Sequence, residues 1–483
     1  MDDQGFLYQQ LVDELGDKIR AGDLAVGEKL PSLRGLHRRL GVSIGTVYQA
    51  YTELERKGLV EARPKSGYYV KAAKVLSLPV PGYVKRSSNP SRVHVSAILS
   101  DVVNASLNPN FIPLGASTLS LDLFPYKHLK RILGGVSPLR MKRLIQYLPT
   151  EGDPEMRHKI ALRLLGIAPQ VRVNDVIITN GCMEALSLSL LALTSPGDVV
   201  AVESPAFFGA LQVFRELGLK AVEVPTDPRY GVDVEALEAA LNRHPVKACL
   251  FTPNYHNPLG ALMPDERKRD LVQLLNRRGI PLVEDDIYAE LHFSPQRPSL
   301  LKTYDQKDLV ITCSSVSKVL APGFRIGWLV AGERFREQII RLKSGFNMAT
   351  SSIEQYVCSQ FLGDGAFDRF LRLLRRTVEK QLLETAMAIQ QYFPEGCKLA
   401  PPQGGNVLWV ELPPSVDGYR LYELALENGI SIVPGKAFST TRRYDNYVRI
   451  SCTTEFDDRI RNGIKTLGSL IEEEMNAGAN KAA

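Results

Sequence analysis

Short β-branched runs alternate with helical patterns through the middle of this chain of 483 residues. The runs lie at 176–179, 199–202, 248–252, 282–285 and 309–313, and a segment of helical periodicity separates each from the next. Strands that are joined by helices pair in parallel, because the chain crosses over the sheet before it returns. The alternation therefore predicts an α/β domain built on a mainly parallel sheet.

The chain on either side of this α/β region has a different character. Its last third is rich in helical patterns and then gives two strand patterns at 406–411 and 447–452, which predict a smaller C-terminal α+β lobe. Prolines, serines and a glycine without periodicity occupy residues 74–93, which we interpret as a semi-extended linker. We therefore expect a large domain over residues 94–475 and a disordered tail over residues 476–483.

Residues 1–73 predict a separate small domain. Leucine and isoleucine recur every fourth residue on one face of the first helical stretch, and Ser32 and Ser43 stand where each could cap a further helix. Gly58 marks the end of the third helix, and two short apolar runs then flank a basic turn. This order of helices and hairpin predicts a winged helix-turn-helix, which places its last helix in the major groove of DNA.

The charge of this small domain is unevenly distributed. Residues 1–28 hold two basic and seven acidic side chains, a balance of −5, whereas residues 29–74 hold ten basic and three acidic ones, a balance of +7. A basic block of this kind suggests a surface that faces a polyanion. On charge alone, a merely solvated charged face is the favoured explanation of a difference this small.

Four motifs lie in this region: Leu30-Pro31-Ser32-x-Arg34-x-Leu36, Leu40-Gly41-Val42-Ser43-x-x-Thr46-Val47, Leu54-x-x-x-Gly58-Leu59-Val60 and Ser66-Gly67-Tyr68-Tyr69-Val70. They closely resemble the GntR family of winged helix-turn-helix domains, over roughly residues 7–70. The resemblance implies DNA contacts from the second and third helices and from the tip of the wing, by Arg34, Ser43, Thr46, Lys65, Ser66 and Gly67. The wing departs from the family pattern, because Lys65 replaces a glycine and Tyr68 replaces a threonine.

The segment 314–328 carries the strongest chemical signal in the chain. Lys318 follows a strand directly, is surrounded by serines, and precedes a proline and a glycine that interrupt regular structure. A lysine in such a setting suits Schiff-base chemistry with an aldehyde. Ser315, Ser317 and Arg325 could together hold a phosphate. A solvated surface loop is an improbable explanation of this whole string.

Three further segments could complete a site around Lys318. One strand ends in Asp285 and Asp286, of which only one can face a shared pocket, where its carboxylate could hold a pyridine nitrogen. The strand, glycine turn and helix at 176–186 offer free amides for a phosphate. Asn257 could donate to a phenolate oxygen. Each segment also has an ordinary explanation when it is taken singly. The two acids could lie on the surface, the segment 176–186 could be a common βα turn, and Asn257 could belong to an ordinary Asn-Pro turn.

Taken together, these segments resemble the fold-type I aminotransferases that use pyridoxal phosphate (PLP), over roughly residues 95–475. The resemblance implies that Lys318 binds the cofactor covalently, that Asp285 pairs with the ring nitrogen, and that Arg449 binds a substrate or effector carboxylate. It further implies ring and phosphate contacts from Asn257, Tyr288, Phe207, Gly181, Cys182, Met183, Ser315, Ser317 and Arg325, with Tyr147 reaching the phosphate of a partner subunit. Met183 replaces the usual glutamine, so that contact falls to backbone amides.

The two resemblances combined are those of the MocR/GabR-type regulators. They imply a large domain that senses PLP, alone or with an amino compound, and a head-to-tail homodimer in which each DNA-binding domain packs on the other subunit. Three hypotheses follow: a regulator with a sensing domain, an active aminotransferase that also binds an operator, and a binding protein with a vestigial domain. The retained Lys318, Asp285 and Arg449 disfavour the third and leave the first two open.

The patterns of cysteine, histidine and hydropathy argue against three classes of protein: disulfide-stabilised, metal-binding and membrane-spanning. The six cysteines form no Cys-x-x-Cys pair and the histidines no His-Glu-x-x-His, so we expect neither a disulfide framework nor a metal site. No apolar run reaches the length of a membrane span, and the N-terminus is acidic and polar. We therefore expect a cytoplasmic protein that meets double-stranded DNA and a small amino compound.

Overall fold

A computed structural model describes residues 3–21, 23–24, 27–63, 66–70, 78–83, 85–93, 102, 104–105, 108–363 and 365–482. The chain begins with a small winged module, residues 3–70 as far as they are described. Its elements are α1 (Asp3–Ala21), α2 (Leu33–Leu40), α3 (Ile44–Arg56), β1 (Val60–Arg63) and β2 (Gly67–Val70).

Local polar contacts determine where the helices of the winged module begin and end. The Ser32 side chain accepts a hydrogen bond from the Gly35 amide at 3.0 Å and so caps α2. Gly41 ends α2 with φ of 67°, a left-handed conformation that glycine adopts without strain. Val47, Tyr51 and other apolar side chains of α3 then pack against α1 and the hairpin. The predicted winged helix-turn-helix is confirmed.

The helices of the large domain cover the faces of its sheet and form much of its C-terminal lobe. None of the helices in the described part of the chain is long and apolar enough to cross a membrane. In chain order, α4 to α15 are Tyr126–Gly134, Pro138–Leu144, Pro154–Leu164, Cys182–Leu193, Phe208–Glu216, Val234–Arg243, Asp265–Arg278, Glu333–Asn347, Ser352–Gly363, Ala366–Tyr392, Gly418–Glu427 and Asp458–Ala482.

The strands of the large domain include every run that the sequence predicts. In chain order, β3 to β17 are Ser91–Arg92, Ile112–Pro113, Val176–Thr179, Val199–Ser204, Lys220–Asp227, Gly231–Val232, Val246–Phe251, Leu282–Asp285, Val310–Ser315, Gly327–Val330, Lys398–Leu399, Val407–Glu411, Ile430–Ser431, Val433–Pro434 and Tyr447–Ser451. Most positions in the central strands are buried, as expected for a sheet that helices cover on both faces.

The central sheet is mainly parallel, which confirms the predicted fold class. Within the described residues it has nine strands in the order β3-β7-β6-β9-β10-β11-β12-β5, with β8 on the side of β7. Neighbours from β7 to β11 are parallel, and β12 is antiparallel to both β11 and β5. The parallel strands therefore bring the ends of β9, β10 and β11 to one edge of the sheet.

The C-terminal lobe contains an antiparallel sheet in the order β13-β14-β17-β16, which confirms the predicted smaller α+β unit. One prediction here is wrong. Residues 476–482 continue the helix α15, whereas the sequence predicted a disordered tail from residue 476. The alanines of this segment explain the difference, because alanine has the highest helix propensity and extends a helix that is already packed.

The described part of the predicted linker lies on the large domain. The Leu399 amide donates to the Pro79 carbonyl at 2.8 Å, and the Ser88 amide donates to the Glu223 carbonyl at 2.9 Å. Strand β3 then pairs antiparallel with β7 at the sheet edge. The segments 78–83 and 85–93 of the predicted semi-extended linker are therefore anchored to the large domain by backbone hydrogen bonds.

The winged module rests on one long helix of the large domain. Leu383 of α13 is 2% exposed and belongs to the same apolar cluster as Leu11, Leu15 and Tyr51 of the module. Met387 packs at the edge of this cluster. The module thus docks on α13 of its own chain, whereas the resemblance implied docking on the large domain of a partner.

Candidate functional site

A cavity of about 190 Å³ opens where β9, β10 and β11 end and α7 begins. The carboxyl ends of parallel strands are the usual place for a ligand in an α/β sheet. Ten of the twelve cofactor contacts implied by the sequence line this cavity: Cys182, Met183, Phe207, Asn257, Asp285, Tyr288, Ser315, Ser317, Lys318 and Arg325. Gly181 directly precedes α7 at the same edge.

Lys318 lies just beyond the end of β11, where the chain leaves the sheet. Its Nζ donates to the Ser117 carbonyl at 2.6 Å and lies 5.5 Å from the centre of the Tyr288 ring. No carboxylate in the described residues forms an ion pair with this amine at 4.0 Å or less. An amine held by a neutral carbonyl in a cavity is a suitable nucleophile for an aldehyde.

Asp285 ends β10, Asp286 follows it directly, and the two side chains have different partners. Asp285 lines the cavity and accepts a hydrogen bond from the Cys182 thiol at 3.5 Å. Asp286 instead binds Arg297 and accepts from the Asn254 amide at 2.8 Å. Asp285 has no such cation among the described residues, and burial raises the pKa of its carboxyl to about 7.

The polar side chains of Tyr288 and Asn257 line the cavity together with Lys318. The Tyr288 hydroxyl is 2.9 Å from the Ser117 hydroxyl and 3.4 Å from Nδ2 of Asn257, which donates to it. The Phe207 ring lies over the start of α8 at the cavity wall, 4.9 Å from the Phe208 ring centre to centre. This arrangement offers hydrogen-bond groups in the plane of a flat ligand and an aromatic face for stacking.

The opposite end of the cavity is a cradle for an anion. Gly181 has φ of 83°, a left-handed conformation that favours glycine, and the Arg325 guanidinium lies directly beside it. The Ser317 hydroxyl is buried and has no hydrogen-bond partner in the described residues. Together with the amides that begin α7, these groups can surround a phosphate.

Arg449 is a buried cation next to the cavity. It is 1% exposed, and its guanidinium donates to the Gly115 carbonyl and, at 3.2 Å, to Oδ1 of Asn257. Its Nε has no hydrogen-bond partner in the described residues, and burial lowers its pKa to about 10. Since neutral acceptors alone do not compensate a buried charge, the site favours a carboxylate ligand.

The structure separates the remaining predicted residues from this cavity. Tyr147 is 86% exposed and lines no part of the cavity of its own chain. Arg34, Ser43, Thr46, Ser66 and Gly67 lie in the winged module. Lys65 lies outside the described residues.

Sequence reasoning missed several residues of the cavity and its floor. Thr118, Thr252 and Ile287 line the cavity, and Ser117 holds the Lys318 amine. The positions of Thr252 and Ile287, just after β9 and β10, are a signal that could have identified them. Ser117 and Thr118 lie in a loop without periodicity, so no comparable signal marks them.

The residues present fit PLP. Among the described residues, a buried acid without an ion pair matches a protonated ring nitrogen, and the Gly181 cradle with an unpartnered serine matches a phosphate. The Lys318 amine, which donates only to a neutral carbonyl there, matches an aldehyde. A winged helix-turn-helix beside such a site defines the chain as a DNA-binding module joined to an aminotransferase-type domain.

Comparison with known proteins agrees with this description. Residues 111–466 match the model of aminotransferase class I and II, and residues 7–70 match that of the bacterial regulatory proteins of the gntR family. The chain is 39% identical over 97% of its length to the uncharacterised HTH-type transcriptional regulator YdcR of Escherichia coli (strain K12), covering 99% of that protein. The corresponding values for the uncharacterised HTH-type regulator YjiR of the same strain are 36%, 97% and 99%.

Among solved structures, the chain resembles LysN, an alpha-aminoadipate aminotransferase from Thermus thermophilus in complex with N-(5'-phosphopyridoxyl)-L-leucine. The TM-score is 0.74 with 28% identity over 80% of this chain and 97% of that one. The chain therefore belongs to the family of HTH-type regulators that join a GntR-type domain to an aminotransferase class I and II domain. This membership confirms the MocR/GabR-type architecture and PLP as the cofactor class.

Proposed function

We propose that this chain is a transcription regulator that binds operator DNA in the cytoplasm and changes its affinity for the operator when its large domain binds PLP and an amino compound. One observation carries the proposal. Helix α13 contacts Glu290, two residues after the cavity residue Tyr288, through Arg375, and it forms part of the core of the winged module through Leu383. A change at the cavity therefore has a direct physical route to the DNA-binding surface.

Near the cavity, a partly buried network of ion pairs holds α13. Nη2 of Arg375 donates to the Glu290 carboxylate at 2.9 Å, and its Nε donates to the Glu290 carbonyl at 2.7 Å. Glu290 follows Tyr288 by two residues and also accepts from Nε of Arg297 at 3.0 Å, while Arg297 binds Asp286. A shift of the Asp285–Tyr288 segment on ligand binding would therefore act on α13.

About two turns after Arg375, α13 contributes Leu383 to the apolar core of the winged module. Leu383 lies eight residues after Arg375, about 12 Å along the helix axis. Since a packed helix moves as a rigid unit, displacement at Arg375 is transmitted to Leu383 with little loss. This supports a sensor in which the ligand state of the cavity shifts the position of the module.

We assign the groups of the cavity to the cofactor as follows. Lys318 binds the aldehyde, Asp285 the ring nitrogen, and Asn257 with Tyr288 the ring oxygen, while Phe207 stacks on the ring. When bound, PLP supplies an electron-withdrawing ring and a carbon that accepts amines. The phosphate group falls to Gly181, Cys182, Met183, Ser315, Ser317 and Arg325. Arg449 binds the carboxylate of the amino compound, which makes an amino acid or related acid the preferred effector class.

A homodimer is part of this proposal. Several large apolar side chains between residues 121 and 147 are more than half exposed, which is a feature of surfaces that another protein covers. These side chains are Leu121, Tyr126, Leu139, Ile145 and Tyr147. Tyr147 would then complete the phosphate site of the partner, and two winged modules would bind two half-sites of one operator.

The second candidate is an aminotransferase that also binds DNA, which the complete set of Lys318, Asp285 and Arg449 favours. Operator affinity, measured for the full-length protein without PLP, with PLP, and with PLP plus a panel of amino acids, distinguishes the two. A sensor changes affinity about 5- to 150-fold, and the operator changes ligand affinity by the same factor. Equal operator affinity in all three states, with catalytic turnover of an amino acid, would instead establish the enzyme.

The role of α13 has its own matched pair of variants. Arg375→Ala removes the hydrogen bonds to Glu290 and should reduce the ligand-dependent change in operator affinity while PLP uptake persists. Arg372→Ala removes an exposed arginine one turn earlier on the same helix and should leave the change intact. If both variants respond like the wild type, α13 is not the connecting element.

A further inference from the structure

The first two turns of α3 carry large apolar side chains on their exposed face. Ile44 is 43% exposed and Tyr48 is 55% exposed, although Val47, Ala50 and Tyr51 of the same helix are buried in the module core. Ile44 and Tyr48 are four residues apart and therefore lie on one face of the helix. Exposed apolar pairs of this size are typical of a contact surface rather than of a solvated helix face.

The polar groups at the start of α3 already have partners within the module. The Ser43 hydroxyl accepts from the Thr46 amide at 3.0 Å and lies 2.8 Å from the Thr46 hydroxyl. Thr46 is only 7% exposed. The two polar residues at the start of α3 that the family pattern assigns to DNA are thus occupied in capping the helix, and Ile44 and Tyr48 are the large apolar side chains that project from it.

The surroundings identify the partner as a polyanion with apolar features. Residues 44–51 contain no charged side chain, while Arg34, Arg38 and Arg39 of α2 are exposed beside them. A groove of about 320 Å³ runs from Arg34 and Ile44 to Gly67 at the start of β2, so the basic and apolar surfaces are continuous. Double-stranded DNA matches both, because thymine presents a methyl group between phosphate strands in the major groove.

We propose that Ile44 and Tyr48 read the 5-methyl groups of thymines in the major groove of the operator. This rests on the proposed DNA-binding function and adds which side chains and which base feature determine the sequence preference. The two side chains are separated by about 6 Å along the helix axis. Base pairs stack about 3.4 Å apart, so the thymines that they contact lie within about two base-pair steps.

The test uses full-length, PLP-loaded protein and a site selected from random duplex DNA. Each thymine of the selected site is replaced singly by deoxyuridine, which removes the methyl group and keeps base pairing. We expect uracil at one or two neighbouring positions to weaken binding about fourfold, the effect of one buried methyl group. Ile44→Ala and Tyr48→Ala should each abolish the uracil effect at one position, whereas Tyr48→Phe should retain it.

Leu7→Ala is the matched control, because Leu7 is 40% exposed on α1 and has the same apolar character. It should bind the selected site like the wild type and keep its sensitivity to uracil. If the wild type selects a site but uracil has no effect at any position, or if the two α3 variants keep full sensitivity, this inference fails while the DNA-binding function stands. If the protein selects no site at all, the proposed function itself fails.

Discussion

The winged module and the cofactor cavity use their motif residues in opposite ways. In the module, Ser32 and Ser43 accept hydrogen bonds from backbone amides of their own helices, and Gly41 forms a left-handed turn. In the cavity, Lys318 and Asp285 are held at the ends of buried strands with no ion pair to neutralise either in the described residues. The motif residues of the module therefore stabilise backbone structure, whereas those of the cavity are available to bind a ligand.

This difference has consequences for the stability of each region without its ligand. The backbone amides at a capped helix end already have hydrogen-bond partners when no DNA is bound, so capping stabilises the free module. The DNA sequence specificity of the module then depends on the residues between the capping positions. A buried acid or cation without a counter-charge destabilises the unliganded fold, and ligand binding removes that cost. Substitutions of capping residues should therefore change the stability of the module, whereas substitutions of cavity residues should change ligand binding.

The largest effect is expected for Lys318→Ala. Without the amine, covalent attachment of PLP is lost, and with it the visible absorption of the bound cofactor and the mass increase after borohydride reduction. The fold should survive, because the Lys318 amine makes one hydrogen bond to the Ser117 carbonyl. Lys307→Ala, at an exposed position, is the control and should retain full attachment. Covalent PLP on a different lysine would contradict the assignment of the cavity.

Asp285→Asn should change how stability depends on pH. Because burial raises the pKa of Asp285 to about 7, from 3.8 in an unfolded chain, the folded protein binds the extra proton. In the cofactor-free wild type, Asp285 therefore contributes a loss of stability, on the order of 4 kcal/mol, as pH rises from 3.8 to about 7, and this loss levels off above that range. The asparagine variant cannot titrate at position 285 and should lack this part of the slope.

Urea unfolding across this pH range measures the slope, and PLP sharpens the result. A cationic ring nitrogen beside Asp285 favours the ionised carboxylate, so saturation with PLP should flatten the wild-type curve toward that of the variant. Glu284 provides an internal comparison, since burial also raises its pKa to about 7 while it accepts hydrogen bonds from the Leu301 amide and Thr312. A wild-type slope unaffected by PLP would assign the titration to Glu284.

A smaller effect is expected for Arg449→Ala. Removal of a buried cation that pairs with a ligand carboxylate should weaken amino-acid binding about 30-fold or more, because such truncations cost about 2–5 kcal/mol. Affinity for PLP and for simple amines without a carboxylate should change little. The affinity for each compound is measured by titrating it into the PLP-bound protein and following the absorption of the cofactor. Equal losses for amines and amino acids would show that Arg449 supports the cavity rather than the carboxylate.

The same contrast explains how far sequence reasoning extends. Strand periodicity and capping signals are local, so the order of elements in the winged helix-turn-helix was predicted correctly, and the strands at 176–179 and 282–285 were predicted with the bounds that the structure has. The tail at 476–482 was predicted as disordered because polar residues and a glycine outweighed helix propensity there. Composition alone also missed the pairing of β3 with β7, because a two-residue strand has no detectable period.

For the cavity, the sequence supplied the chemical groups but not their spatial relations. The alternation on β10 limited the choice to one of Asp285 and Asp286, and the family resemblance selected Asp285. No pattern in the sequence indicates that Ser117 holds Lys318, because 201 residues separate them and the contact depends on how a loop folds over the sheet. Long-range contacts of this kind require the tertiary structure.

The smallest expected effect distinguishes capping from DNA contact at Ser43. If Ser43 acts as the helix cap, Ser43→Ala should lower the stability of α3 by about 1 kcal/mol, whereas Ser43→Gly should cost only a few tenths of that, since glycine is itself a good N-cap residue. Hydrogen exchange of the Thr46 amide in the full-length protein measures this directly, because that amide donates to Ser43.

Operator affinity then separates the two roles. A capping role predicts that Ser43→Gly binds the selected operator nearly as well as the wild type and better than Ser43→Ala. A direct contact by the hydroxyl predicts equal losses for both variants, because neither retains it. Thr52→Ala, which removes an exposed hydroxyl later on α3, should leave both measurements unchanged. Equal losses for alanine and glycine would restore Ser43 to the DNA-contacting set, and the module would then resemble the cavity in using its motif residues for a ligand.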